Sequence, residues 1–278
     1  MNAFHVNSTG PYFASGKKEP YSIEKFSLYT TVISALCWRR MNGGILMATD
    51  KTGKRLYDES GLSRVWDSVL DIIPDDLEGI DPLVFWAAGK LIALRELDSD
   101  AALVDEDLIV WKKLKLSDKK VTAAHREYIT PEIYPDPGVF GVDFPLLDRL
   151  DRNVMPCNTA FLYIPDRSLR LFYVNQSIAF MKAASGRCTQ DRLRPMVFAE
   201  QRLLAMLCAY TGTEINTLLD VNKLFIAQDD YTHLWGAKQA MRDNDDYRNG
   251  FIERCRRRIE NDFPEYADII GIIEEYGR

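Results

Sequence analysis

One apolar run of this 278-residue chain carries three consecutive acids: Ala101-Ala102-Leu103-Val104-Asp105-Glu106-Asp107-Leu108-Ile109-Val110-Trp111. A run of this kind reads as a buried strand. Unpaired carboxylates are costly to bury, so the strand is expected to break at Val104, with Asp105 and Asp107 set over a cleft. Residues i and i+2 of a strand point to one side, so Asp105 and Asp107 could face one cation while Glu106 turns away. Carboxylate ligands suit magnesium or manganese, ions that commonly hold substrate phosphates as well. The same run also reads as an acidic turn between two core strands.

Further segments add chemistry. Asn158, in Pro156-Cys157-Asn158-Thr159-Ala160-Phe161-Leu162, offers a two-sided amide that can hold a sugar hydroxyl or cap a turn. Glu200 and Gln201 open an apolar helix, where an acid-amide pair can edge a cleft or simply complement the helix start. His233-Leu234-Trp235-Gly236-Ala237-Lys238 joins a possible metal-ligating imidazole to a glycine that permits close backbone approach and to a lysine charge for phosphate. Lys90 stands on the segment leading into the acidic run. His5 and His125 have no acidic company of their own and read as structural.

These residues need a frame. Strands are expected at Ala3–Asn7, Ile45–Thr49, Trp66–Ile72 and Met155–Ile164. Helices are expected at Ile23–Met41, Lys54–Glu59, Pro82–Leu97, Leu169–Ala184, Arg192–Tyr210, Tyr247–Asn261 and Tyr266–Tyr276. Asp81 would cap the helix that Pro82 begins. Gly10–Tyr21 and the Pro- and Tyr-rich stretch Glu127–Pro145 read as loops. Tyr128, Tyr134, Phe140 and Phe144 on the second loop would either stack on an acceptor sugar or pack in the core. Strand and helix alternate in the first half, which predicts an α/β fold: a mixed, mostly parallel sheet flanked by helices, with a helical C-terminal part. In such sheets ligands bind beyond the carboxyl ends of the strands, where Asp105 and Asp107 would lie.

Composition narrows the class. A net charge of −6 argues against a nucleic-acid partner. The five cysteines form no C-x-x-C and fit reduced thiols, and three histidines are too few for a histidine-rich metal centre. No apolar run reaches bilayer length and no signal peptide is evident, so a cytoplasmic protein is expected. The basic run Arg254-Cys255-Arg256-Arg257-Arg258 reads as a salt-bridged solvent face, with peripheral contact to an anionic membrane as the alternative.

Asp105-Glu106-Asp107, Cys157-Asn158-Thr159-Ala160, Glu200-Gln201 and His233 to Lys238 occur in the order of four motifs of the metal-dependent glycosyltransferases of GT-A fold. The chain most resembles the glycogenin-like family eight, which carries D-x-D, F-N-[AS]-G, D-Q and H-x-x-G-x-x-K-P-W, and it also resembles uncharacterised bacterial proteins of this layout. Here Ala160 replaces the usual glycine, Glu200 replaces aspartate, the last motif is one residue short, and Pro-Trp is absent. The resemblance implies one GT-A-like domain over 1–278: a nucleotide-binding half at 1–111, an acceptor and catalytic half at 112–240, and C-terminal helices at 241–278. It implies transfer of a sugar from a nucleotide-diphosphate sugar, most simply a UDP-sugar, to a glycan, lipid-linked or protein acceptor, with retention. Mn2+ or Mg2+ would be held by Asp105, Asp107 and His233. Gln201 and Glu200 would be catalytic, with Gln201 near the anomeric carbon. Asn158 would hold donor hydroxyls, Lys90 and Lys238 phosphate charge, and Asn7, Ser8 and Asp50 the base or ribose. The alternatives are a non-catalytic sugar-nucleotide-binding protein and a haloacid-dehalogenase-type phosphatase using the two aspartates as nucleophile and acid.

Overall fold

The computed structural model of the chain describes residues 1–97, 100–188, 191–224, 230–234 and 236–278. Its strands are β1 (Ala3–Asn7), β2 (Ile45–Thr49), β3 (Ser68–Asp71), β4 (Ala102–Val104), β5 (Leu108–Val110), β6 (Val121–Arg126), β7 (Cys157–Tyr163), β8 (Ile215–Thr217) and β9 (Tyr231–His233). Its helices are α1 (Gly10–Ala14), α2 (Lys25–Met41), α3 (Lys51–Ser60), α4 (Ala88–Glu96), α5 (Arg167–Ala184), α6 (Arg194–Val197), α7 (Leu203–Thr211), α8 (Ala237–Asp243), α9 (Asp245–Asp262) and α10 (Ile269–Tyr276). Among the described residues, seven strands form one sheet in the order β3-β2-β1-β4-β7-β6-β8. β3, β2, β1 and β4 are parallel, as are β6 and β8, while β7 runs antiparallel to both its neighbours. β5 and β9 pair antiparallel in a separate two-stranded sheet. This is the expected α/β architecture, with a mixed, mostly parallel sheet and a helical C-terminal part.

Both faces of the sheet are covered, which is why its central strands read as near-continuous apolar runs. Along β2, Leu46 and Ala48 join the core shared with α4, α5 and α7, whereas Ile45 and Met47 join the core built around α2, α9 and α10. β4 divides the same way, with Leu103 on the first side and Ala102 and Val104 on the second. Among the described residues no helix is long and apolar enough to cross a membrane.

Several elements depart from the sequence expectation. The helix expected from Pro82 starts only at Ala88. Asp81 accepts a hydrogen bond from Leu83 N, but it caps a turn, because Val84 and Phe85 drop into the core and Phe85 packs edge-on against Phe180. The loop after β1 contains the short helix α1. β6, β8 and β9 were not expected: β8 and β9 are three residues long and exist through pairing with distant partners. The helix expected over Arg192–Tyr210 is interrupted at Phe198–Arg202 by a π-helical turn. In the basic stretch of α9, Arg257 pairs with Glu253 and Arg258 with Asp262, while Arg258 also lies over the Trp111 ring.

Candidate functional site

The chain runs from β1 to β2 and β3 on one side of the sheet and then returns to place β4 on β1's other side. The resulting reversal between β1 and β4 is where open α/β sheets bind ligands. Asn7 closes β1, Asp50 follows β2, and Asp105 follows β4.

The acidic run breaks after Val104 as expected, and the reason is local. Asp105 N donates to Ala160 O at 2.7 Å, the chain turns, and Leu108 N donates to Asp105 O at 3.0 Å. Asp105 and Asp107 therefore share a side through a turn rather than through strand alternation. β5 then pairs with β9, setting Leu108 opposite His233, and Leu234 N donates to Asp107 O at 3.1 Å. This pairing carries the far end of the chain to the acids. One ligand atom each from Asp105, Asp107 and His233 lie within 4.8 Å of one another.

Two lysines neutralise part of the charge. Lys238 Nζ lies 2.8 Å from Asp107 Oδ2, with His233 Nε2 3.6 Å from Oδ1. Burial would push the Asp107 carboxyl up, but the hydrogen bonds and charge of His233 and Lys238 prevail and hold it well below the usual carboxylate range. Lys90 Nζ lies 2.6 Å from Asp105 Oδ1 and 2.9 Å from Glu200 Oε1. Burial would deprotonate Lys90, yet Asp105 and Glu200 outweigh it and raise its pKa, so it stays an ammonium. Glu200 is 1% exposed and also accepts from Thr159 Oγ1 at 2.8 Å.

Glu106 turns away from the cluster. It accepts from Asn7 Nδ2 at 3.3 Å and from Tyr57 Oη at 3.4 Å, and burial raises its pKa to about 7 against the pull of Lys238 and Asn7. A raised carboxyl favours the folded state while protonated, so stability falls as pH climbs from 4.5 through about 7. Glu106→Gln can keep both accepted hydrogen bonds. It should be the more stable protein at pH 8 and equal to the parent at pH 4 or below, measured by chemical denaturation in chelator. Equal stabilities at pH 8 would remove Glu106 as the source of the slope.

The other expected site residues fall around this centre. Gln201, on the π-helical turn, accepts from Tyr134 Oη at 2.5 Å. Asn158 donates to Glu127 Oε1 at 3.1 Å, and its Oδ1 accepts from Ala160 N. Asn7 Oδ1 accepts from Tyr21 Oη at 3.1 Å. Asp50 is spent internally: it accepts from Gly53 N at the start of α3 and from the Thr9 amide and hydroxyl. Ser8 Oγ is buried without a hydrogen-bond partner among the described residues. Trp235 lies outside the described residues. Of the four loop aromatics only Tyr128 is exposed; Tyr134 is buried, Phe140 packs against Phe180 and Phe198, and Phe144 lies against Phe180.

Glu127 and the π-helical turn were not singled out from sequence, and Tyr134 was read only as a stacking or core aromatic, not as a partner of Gln201. A π-helical turn often marks a functional site, but it leaves no residue pattern to read. Beside Thr9 lies an open cleft of about 670 Å³, bordered by Gly10, Phe13, Lys18, Thr52 and Asp75 after β1, β2 and β3.

No protein-family model matches the chain, and no curated protein matches it. Solved structures similar to it include the galactosyltransferase LgtC in complex with donor and acceptor sugar analogues, at 12% identity over 78% of this chain and 73% of that one, with a TM-score of 0.40. Mouse xyloside xylosyltransferase 1, in its apo form, is similar at 10% identity over 78% of this chain and 85% of that one, TM-score 0.40. The bifunctional glycosyltransferase WbbM, also apo, is similar at 9% identity, with 78% of this chain covering 38% of that one and a TM-score of 0.38.

Proposed function

We propose that the chain is a metal-dependent glycosyltransferase of GT-A type, transferring a sugar from a nucleotide-diphosphate sugar to a hydroxyl acceptor. The observation that carries this reading is the convergence of Asp105, Asp107 and His233 at the strand carboxyl ends, with Lys90 and Lys238 beside them. The donor set suits a divalent cation: two carboxylates and an imidazole, in a cluster where Asp105, Asp107 and Glu200 outnumber the two lysines. The imidazole favours manganese over magnesium. Bound there, the cation would supply Lewis-acid stabilisation of the departing diphosphate.

The protein's own groups account for the rest. Lys238 is partly exposed and within reach of Asp107, so it can turn to a diphosphate oxygen. The open cleft beside Thr9 offers room for the nucleoside, and Asp50 sets its wall by fixing the Thr9 loop. Glu200, locked by Lys90 and Thr159, and Asn158, locked by Glu127, form a rigid floor for sugar hydroxyls. The bond from the anomeric carbon to the diphosphate oxygen breaks with its electron pair on that oxygen. The acceptor oxygen forms the new bond to the anomeric carbon and gives up its proton to the departing diphosphate oxygen. Gln201 would lie on the sugar face near the anomeric carbon, and the resemblance to family eight leans to retention. Uridine diphosphate is the first donor nucleotide to test.

The direct experiment is nucleoside-diphosphate release from a panel of UDP- and GDP-sugars with Mn2+. One donor should be turned over, and chelation should stop it. Binding without release would favour a sugar-nucleotide-binding protein, and the absence of both would overturn the reading.

A further inference from the structure

The segment between Glu127 and Pro145 is tied to the π-helical turn at two successive residues. Tyr134 is 3% exposed, and its hydroxyl lies 2.5 Å from Gln201 Oε1. The next residue, Arg202, is also 3% exposed. Its guanidinium donates to Tyr134 O at 2.8 Å, to Pro135 O and to Arg152 O at 2.9 Å. The widened turn splays three consecutive side chains to three tasks: Glu200 to Lys90 and Thr159, Gln201 to Tyr134, and Arg202 to the loop backbone.

A carboxamide on its terminal torsion has a broad, roughly two-fold preference, so packing alone does not fix which end points where. A phenol can fix it, because an oxygen this close to a carbonyl oxygen must be the donor. The bond occupies one lone pair of Oε1, sets the amide plane, and leaves the second lone pair and the NH2 group for a ligand. It also draws electron density from Oε1, so it orients that oxygen rather than activating it.

We propose that Tyr134 is the positioning residue for Gln201, holding its carboxamide in the one orientation that faces the donor sugar. This deepens the glycosyltransferase reading and rests on it. Arg202 grips Tyr134 through the backbone carbonyl, so losing the hydroxyl leaves the loop attached. Tyr134→Phe therefore removes the orienting bond with little else.

Two readouts test it. In ligand-free, 15N-labelled protein, the Gln201 side-chain amide pair, assigned by its loss in Gln201→Ala, should shift toward the free-amide position in Tyr134→Phe. In turnover, Tyr134→Phe should lower kcat about tenfold or more, the scale on which misplaced reacting groups lose rate, while donor KM changes less than twofold. In a Gln201→Ala background the same change should cost nothing further. An amide pair that does not move overturns the proposal. So does an unchanged kcat, or an equal loss in the Gln201→Ala background. If the parent protein turns over no donor, the glycosyltransferase reading falls, and the amide readout alone decides whether Tyr134 orients Gln201.

Discussion

Asp107→Asn should lose about 10²–10³-fold in kcat/KM for the donor, the scale on which removing one charge-stabilising group from a reacting centre is felt. The substitution keeps shape and removes one charge. Asp107 is the point where the cluster meets itself: His233 on one oxygen, Lys238 on the other, and its backbone carbonyl bonded to Leu234. Losing the charge would weaken the hold on the proposed cation and free Lys238 from its anchor. The fold should survive, because the Leu234 bond is to the backbone and Lys238, 36% exposed, can reach water. The depressed pKa of Asp107 supports the folded state above the usual carboxylate range, and that support fades only as pH falls below it. Between pH 5 and 8 its contribution is constant. Steady-state kinetics at varied Mn2+ checks this, and a variant with unchanged kcat/KM would remove Asp107 from the site.

Lys90→Met should produce the largest loss of stability, about 3–5 kcal/mol, as when one partner of a buried ion pair is removed. Lys90 bridges Asp105 and Glu200, and the Glu200 side chain is only 2% exposed. Without the ammonium, two buried carboxylates lie near each other, with Thr159 donating to Glu200. For a chain of this size the melting temperature should drop on the order of 10 °C. Protonating the carboxylates relieves the penalty, so the deficit should shrink as pH falls. Adding Glu200→Gln should recover part of it. Urea titrations of the single and double variants measure this; a single-variant loss below about 1 kcal/mol would show that Lys90 is not the counter-ion that holds these acids.

The contrast between acidic turn and core strand was legible because its physics is local. Val104 ends a strand where burial of charge would begin, and the order of the motifs followed the chain. The parallel first half was legible for the same reason, since strands buried on both faces carry long apolar runs. The helix expected from Pro82 failed because Val84 and Phe85 answer to the core rather than to the capping pattern at Asp81. β9 escaped because three residues acquire strand geometry only by pairing with β5, and that pairing is what brings His233 to Asp107. Asp50 could be placed after β2, but its commitment to Thr9 and Gly53 depends on how the β1 loop folds back. Tyr134 sits in a stretch whose composition reads as a loop, and nothing in its spacing shows that its hydroxyl reaches Gln201.

The most direct test of the central claim is thermal unfolding with UDP- and GDP-sugars, each with and without Mn2+, in the parent protein and in Asp107→Ala. A donor that binds the folded state raises the midpoint by mass action, by about 2.7 kcal/mol of stabilisation at a hundredfold excess over Kd. One donor should raise the midpoint only when manganese is present, and the shift should vanish in Asp107→Ala. A shift that ignores manganese, or persists without Asp107, would contradict a metal-borne donor site at the end of β4, as would the absence of any shift.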